Sequence, residues 1–177
     1  MATARKSTKT DATPSRAASA KTPDAITLLK ADHSEVAACF KAYQKLVDSE
    51  ADADERQELA QQICSMLTVH AQIEEEIFYP AARELLDEDD LLDEADVEHA
   101  CAKDLIAQIQ GMSPDDDHYD AKVKVLGEYI DHHVQEEQDE MFPKVKKAGL
   151  DTKAIGEELA LRKEELMAEE GMVASEA

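Results

Sequence analysis

Two segments of the chain, HAQIEEEIFYP (residues 70–80) and HVQEEQDEMFP (residues 133–143), share one frame. Each begins with a histidine, and each has a glutamate four residues on and a proline ten residues on. In a helix, side chains four residues apart lie on the same face, one turn apart. That face is also the apolar stripe of each predicted helix, so both segments place ionisable groups where a hydrophobic core is expected.

The surrounding sequence is typical of long helices. The chain has 177 residues with only 4% aromatic residues and five glycines, and helix-forming residues dominate it. Thr22, Pro23 and Asp24 read as the start of the first helix, and Ser113 with Pro114 as the start of the fourth. The predicted helices cover residues of about 23–48, 54–86, 89–110, 114–147 and 151–170.

Short breaks between long amphipathic helices predict an all-α fold. We expect an up-down-up-down antiparallel four-helix bundle, followed by a short C-terminal fifth helix. The predicted organisation is a disordered basic tail over residues 1–21, the bundle over 22–149, and the C-terminal helix and tail over 150–177.

The charge of the chain limits its partners. It carries 41 acidic and 19 basic residues, a formal net charge of −22. Such a surface repels nucleic acid and anionic membranes, so we expect neither as a partner of the folded body. No membrane-spanning apolar run or signal peptide is found, which favours a cytoplasmic protein. Three cysteines without a paired spacing predict reduced thiols; a redox disulfide between Cys39 and Cys64 is the alternative.

Each of the four bundle helices has one histidine in its apolar stripe, and two of them add a glutamate. In an antiparallel hairpin, residues whose midpoint falls in the turn are level, and by this criterion all six groups share one layer. Burying ionised groups costs several kcal/mol apiece unless they are paired or metal-bound. Mutual salt bridges leave two histidines unused, whereas a pair of divalent metals uses every group. The predicted metal ligands are His33, His70, Glu74, His99, His133 and Glu137.

Other polar side chains have weaker patterns. Tyr129 lies one turn before His133 on nearly the same face, where it either hydrogen-bonds a ligand of the metals or packs in the core. We place His132 on the flank of its helix, outside the site. The side chains assigned to solvent are His118, Glu75, Glu76 and Glu136.

Four segments carry a family resemblance: LLKADHSEV (28–36), HAQIEEEIFYPAARE (70–84), VEHACAKDLI (97–106) and HHVQEEQDEMFPKVKKAG (132–149). Over about residues 24–165 the chain resembles the hemerythrin-like, or HHE cation-binding, domain family. The resemblance implies a non-haem, oxo- or hydroxo-bridged centre of two iron ions held by the six residues named above.

The resemblance also implies the function. We expect a protein that binds or senses O2, or reacts with peroxide or nitric oxide; an iron-storage or metal-binding module without turnover is the alternative. Lys103 stands where the oxygen-carrying members have a further histidine, which argues against reversible O2 carriage. Whether the protein is an enzyme, which residues would be catalytic, and its oligomeric state stay open at this point.

Overall fold

The computed structural model describes residues 22–86 and 90–171, and the regular structure in these ranges is helical. The α-helices are α1 (Ala25–Asp48), α2 (Ala53–Ile73), α3 (Tyr79–Arg83), α4 (Asp90–Gln110), α5 (Tyr119–Glu136), α6 (Phe142–Ala148) and α7 (Thr152–Glu169). Two π-helical segments interrupt them: Glu74–Phe78 joins α2 to α3, and Glu137–Met141 joins α5 to α6.

These elements form the predicted bundle. Helix α1 packs against α2 and α5, and α4 packs against the same two neighbours, so the four long helices close into a ring. Helix α7 lies across α1 and α2. The predicted all-α fold class is therefore confirmed. None of the described helices is long and apolar enough to cross a bilayer. The predicted tail, the break at 87–89 and the end of the chain after 171 lie outside the described residues.

The predicted helix starts need two corrections. Asp24, not Thr22, caps α1: its carboxylate accepts hydrogen bonds from the backbone N–H of Thr27 at 3.2 Å and from the hydroxyl of Thr27 at 2.7 Å. The fourth long helix begins at Tyr119 rather than at Pro114. The Asp116 carboxylate accepts from the backbone N–H of Ser113 at 2.9 Å, so this stretch closes a turn instead of starting a helix.

Helix α7 is held on the bundle by a close backbone approach and two ion pairs. A Cβ atom at Gly156 would lie only 2.5 Å from the carbonyl oxygen of Pro23, so the two backbones touch there. The guanidinium of Arg162 binds Glu76 at 2.7 Å. Lys163 binds Asp32 at 2.5 Å. The C-terminal helix is thus fastened to the first half of α1 and to the π-helical segment that follows α2.

The hydrophobic core consists of two clusters rather than one. One cluster includes Leu29, Ile73 and Phe142 and lies towards α3, α6 and α7. The other includes Ile63 and Leu126 and lies towards the opposite end of the bundle. A buried polar layer separates them, and the two apolar clusters shield it from water on both sides.

The first π-helical segment shifts the buried face of the second bundle helix by one residue. Regular α periodicity predicts Ile77 and Ala81 in the core, whereas the buried residues are Phe78, Tyr79 and Ala82. A π-helical turn uses one residue more than an α-helical turn, so positions after Glu74 rotate relative to the prediction. Pro80 and Pro143 are the second residues of α3 and α6, the helices that follow the two segments. A proline removes a helical hydrogen bond and crowds the preceding turn, which the wider π turn accommodates.

Candidate metal centre

The polar layer brings together all six side chains that the sequence analysis selected, and every bundle helix contributes to it. The imidazoles form two pairs that face each other through their Nε2 atoms. Nε2 of His33 lies 2.9 Å from Nε2 of His70, and Nε2 of His99 lies 3.1 Å from Nε2 of His133. We call the first pair position 1 and the second pair position 2.

Glu74 lies between the two positions. Its side chain is fully buried, with one oxygen 3.3 Å from Nε2 of His70 and the other 3.5 Å from Nε2 of His99. One carboxylate therefore reaches a histidine of each pair, as a ligand bridging two metals must.

Glu137 has the matching place on the other side of the layer. Its Oε2 lies 3.2 Å from Nε2 of His33 and 3.7 Å from Nε2 of His133. Oε1 instead accepts a hydrogen bond from the hydroxyl of Tyr79 at 3.0 Å. This carboxylate also touches both positions, but only one of its oxygens is free of the tyrosine.

The pKa values of the layer residues depend on the charges of their neighbours. Burial lowers the pKa of His70, but the charge of Glu74 and the contact with Asp32 outweigh it and raise that pKa to about 10. Burial raises the pKa of Glu74, yet the neighbouring His70 lowers it to about 2. Burial likewise opposes the charged form of His133, but the hydrogen bond that its ring donates to Glu98 raises its pKa overall. Without metal, these shifts favour protons on His70 and His133 beside an ionised Glu74.

The residues present fit a pair of metal ions on three observations. Both oxygens of Glu74 and Oε2 of Glu137 are buried and have no hydrogen-bond partner among the described residues. Two nitrogens bound at right angles to one ion, each at about 2.1 Å, stand about 3.0 Å apart, which matches both Nε2–Nε2 distances. Imidazole and carboxylate donors suit iron, zinc and manganese.

Each imidazole also has a side-chain contact at its other ring nitrogen, Nδ1. An ionised carboxylate can only accept a hydrogen bond from Nδ1–H, so it fixes the tautomer that leaves Nε2 free for metal. The contacts to Nδ1 are Asp32 to His70 at 3.4 Å, Glu75 to His99 at 2.9 Å, Glu98 to His133 at 2.7 Å, and the amide of Gln138 to His33 at 3.2 Å.

Sequence reasoning missed these supporting residues because each lies next to a layer residue in sequence and so falls off the apolar stripe. The prediction that Glu75 faces solvent is corrected, since its carboxylate contacts Nδ1 of His99. Lys103 in turn binds the carboxylate of Glu75 at 2.5 Å, so the lysine that replaces the carriers' histidine supports His99 indirectly. A useful signal was available: an acidic residue directly before or after a layer residue.

The predicted role of Tyr129 was wrong. Its side chain is 51% exposed and lies on the outer surface of α5. The tyrosine of the site is Tyr79, whose hydroxyl lies 3.2 Å from Nε2 of His99 and 3.4 Å from Nε2 of His133. Burial and the nearby charge of Glu74 raise the pKa of Tyr79 well above its usual range, so it stays a protonated phenol.

The remaining candidates lie outside the layer. His132 is exposed and forms a surface group with Glu98 and Glu136, at 3.7 and 3.4 Å. His118 is exposed in the loop before α5. Cys39 and Cys64 are free thiols, and Cys39 contacts Met66 at 3.9 Å instead of forming a disulfide with Cys64.

Two cavities adjoin the layer. The inner one measures about 20 Å³ and is lined by all four layer histidines together with apolar side chains, among them Ile106 and Ile130. The outer one, about 320 Å³, opens between α1, α2 and α7. Val36, Leu67 and His70 line both cavities and so form the wall between them.

A four-helix bundle with a buried layer of histidines and glutamates defines a class of metal-binding proteins that build their centre from facing helices. Within this class, the chain belongs to the hemerythrin HHE cation binding domain family, whose model matches residues 24–145. The match includes every residue of the layer. Helix α7, which supplies Lys163 to the contacts around Asp32, lies beyond it.

A solved structure shows the same fold. A hemerythrin HHE cation binding domain-containing protein from Mycobacterium kansasii aligns with a TM-score of 0.69, covering 83% of this chain and 89% of that one at 22% sequence identity. A curated relative, a DNA nickase from Nostoc sp., is 30% identical over 119 residues. The match covers 67% of this chain but only 32% of the nickase.

Proposed function

We propose that the layer holds two iron ions and that the protein reacts there with a small oxidising molecule. Peroxide is the first candidate, and O2 and nitric oxide are the alternatives. The ions would supply the electrons for this chemistry. The ligands would be the six layer residues, with His33 and His70 at position 1, His99 and His133 at position 2, and the two glutamates between them.

The inner cavity is the observation that carries the proposal. Its volume of about 20 Å³ is room for about one water-sized molecule. Besides the four imidazoles its walls are apolar side chains and Lys103, so a ligand that enters is confined beside the imidazoles. A larger organic substrate does not fit, whereas a molecule of two to four atoms does.

A phenol of the layer supports chemistry that consumes a proton. The hydroxyl of Tyr79 lies within 3.4 Å of Nε2 atoms on both position 2 histidines and donates its proton to Glu137. Rotation of the O–H would let it donate that proton to a developing oxygen anion instead. Reversible carriage of O2 needs no such transfer, so the phenol favours a reaction over carriage.

The nicking of DNA by the Nostoc relative is not part of the proposal. This chain spans about a third of that protein, and its formal charge is −22. DNA binding depends on neutralising phosphates with basic side chains, which an acidic body does not provide.

The test is metal analysis combined with absorption spectroscopy of protein purified in air, followed by rapid mixing with hydrogen peroxide. We expect two irons per chain, near-ultraviolet bands from iron bridged by oxygen, and conversion of peroxide to water and O2 over many turnovers, in which a second peroxide is the reductant. Two irons without peroxide, O2 or nitric oxide reactivity would indicate a storage module instead. Fewer than two irons at saturation would contradict the two-metal assignment.

A further inference from the structure

The two halves of the centre are related by an approximate twofold symmetry that is visible in the numbering. Residues of α1 and α4 correspond at a spacing of 66, since 99 − 33 = 66, and residues of the two π-containing helices correspond at 63, since 133 − 70 = 63. The layer residues of the two positions correspond in kind, but the cluster at position 1 contains both Glu74 and Glu137, whereas the cluster at position 2 contains Glu74 alone with its two histidines. The corresponding layer pairs are His33 with His99, His70 with His133, and Glu74 with Glu137.

The supporting contacts follow the same symmetry with one exception. Asp32 and Glu98, 66 apart, are both carboxylates and support His70 and His133. The other two contacts come from positions 75 and 138, which are 63 apart, and here a carboxylate faces an amide: Glu75 supports His99, while Gln138 supports His33. Among the residues that the structure describes, His33 is therefore the only histidine of the layer that no carboxylate holds through Nδ1.

A second exception falls on the same pair. Tyr79 and Phe142 also stand 63 apart. The ring of Tyr79 packs at 5.4 Å from that of His99, and its hydroxyl reaches the layer. The ring of Phe142 stacks flat on His33 at 6.1 Å and offers no polar group. Both departures from symmetry thus leave position 1 with less polar support than position 2.

The amide has a direct effect on metal binding. In the structure the amide nitrogen of Gln138 points at Nδ1 of His33. A nitrogen that donates there leaves the ring proton on Nε2, the atom that must be free to bind a metal. The amide can turn its oxygen to the ring, but it then brings no negative charge. A carboxylate in this place fixes the metal-binding tautomer and raises the basicity of the ligand, and loss of such a partner typically weakens metal affinity about 10- to 100-fold.

We propose that the two metal positions are unequal, that position 2 binds a divalent metal more tightly than position 1, and that Gln138 sets the difference. The inference rests on the proposed two-metal centre. The expected gap in affinity is about 10- to 100-fold. The metal at position 1 is then the one that exchanges first, while the metal beside Tyr79 stays bound. Lys103 and Lys163 bind Glu75 and Asp32, but both carboxylates still face their histidines, so the contrast with the amide remains.

The experiment is a titration of metal-free protein with Co²⁺, followed by visible absorption and by competition with a chelator of known affinity. Wild type should bind two Co²⁺ in two separable steps. Gln138→Glu should strengthen the weaker step about 10-fold and bring the two together. Glu75→Gln should weaken the tighter step by a similar factor. Glu140→Gln, an exposed change in the same π-helical segment, is the matched control and should leave both steps unchanged.

The outcomes separate the inference from the function on which it rests. Two equal steps in wild type would overturn the inference and leave the two-metal centre intact. The inference also fails if Gln138→Glu alters only the tighter step or neither step. Saturation below two Co²⁺ per chain would instead contradict the proposed function.

Discussion

The hydroxyl of Tyr79 lies 3.0 Å from Oε1 of Glu137. This hydrogen bond joins α3, which follows the first π-helical segment, to the second π-helical segment. It leaves Glu137 a single oxygen for the histidines and holds a protonated phenol beside His99 and His133. The pair therefore links the geometry of a bridging ligand to the position of a proton donor.

Tyr79→Phe should separate these two roles. The protein should fold and keep both metals, because Phe142 already fills the corresponding place with a phenyl ring. The reaction with peroxide should slow about 100-fold, the usual size of a lost proton donor. Stopped-flow mixing with hydrogen peroxide measures the effect, and Tyr129→Phe, a change at an exposed tyrosine, should react like wild type. An unchanged rate for Tyr79→Phe would remove the phenol from the mechanism.

Replacement of His70 and His133 by alanine should abolish metal binding. Each position then keeps a single imidazole, and both glutamates lose a neighbour at 3.3 to 3.7 Å. The helices should persist, since the two apolar clusters are untouched. Metal content and circular dichroism report the two effects. His132→Ala, next to His133 in sequence but exposed, is the control and should keep both metals; two tightly bound irons in the double variant would rule out the ligand assignment.

Without metal, stability should fall as the solution becomes alkaline. The pKa of His70 is raised from 6.5 to about 10 in the folded chain, so the protein gains stability from protonated His70 that is complete below pH 6.5 and is lost as pH rises towards 10. Urea unfolding of chelator-treated protein should therefore give a lower midpoint at pH 9 than at pH 6. His70→Gln should flatten this dependence, and metal-loaded protein should escape it because the metal takes the place of the titrating proton on Nε2.

The same argument gives the opposite sign for Glu74 in acid. Its pKa is lowered from 4.5 to about 2, so its contribution is complete above pH 4.5 and is lost as pH falls towards 2. Acid unfolding of metal-free Glu74→Gln should consequently be less steep than that of wild type between these values. A variant that unfolds in acid with an unchanged profile would show that the Glu74 charge is not held by the histidines.

Gly156→Ala should loosen α7. The added methyl would meet backbone atoms of Pro23 and Ala25 at 2.5 and 2.6 Å, which rigid neighbours cannot relieve. The expected cost is about 1–3 kcal/mol in the free energy of unfolding, or release of the helix from the bundle. Thermal unfolding and limited proteolysis distinguish these results. Gly111→Ala, whose nearest contact is 3.4 Å, should behave like wild type.

Helical periodicity was sufficient to predict the bundle and to select the six layer residues, because both depend on which residues share a helix face. It failed for Tyr79, since counting in α-helical turns places that residue off the buried face, and nothing in the local sequence except Pro80 hints at a wider turn. It also failed for Glu98 and Gln138, because their contacts depend on side-chain directions between helices. The ends of helices were off by up to five residues where, as at Pro114, a turn uses the same residues as a helix start.

The π-helical segments make the length of each repeated segment part of its chemistry. In both, the proline stands ten residues after the histidine, and the wider turn lies between them. Deleting one residue there would restore a regular helix without breaking the fold, and it would rotate everything beyond by about 100°, one α-helical residue step. The histidine and glutamate would survive such a deletion while the phenol would leave the layer. Among related chains, those that shorten this interval by one residue should therefore keep their metals and lose the proton donor, so a single gap in an alignment can mark a change of chemistry.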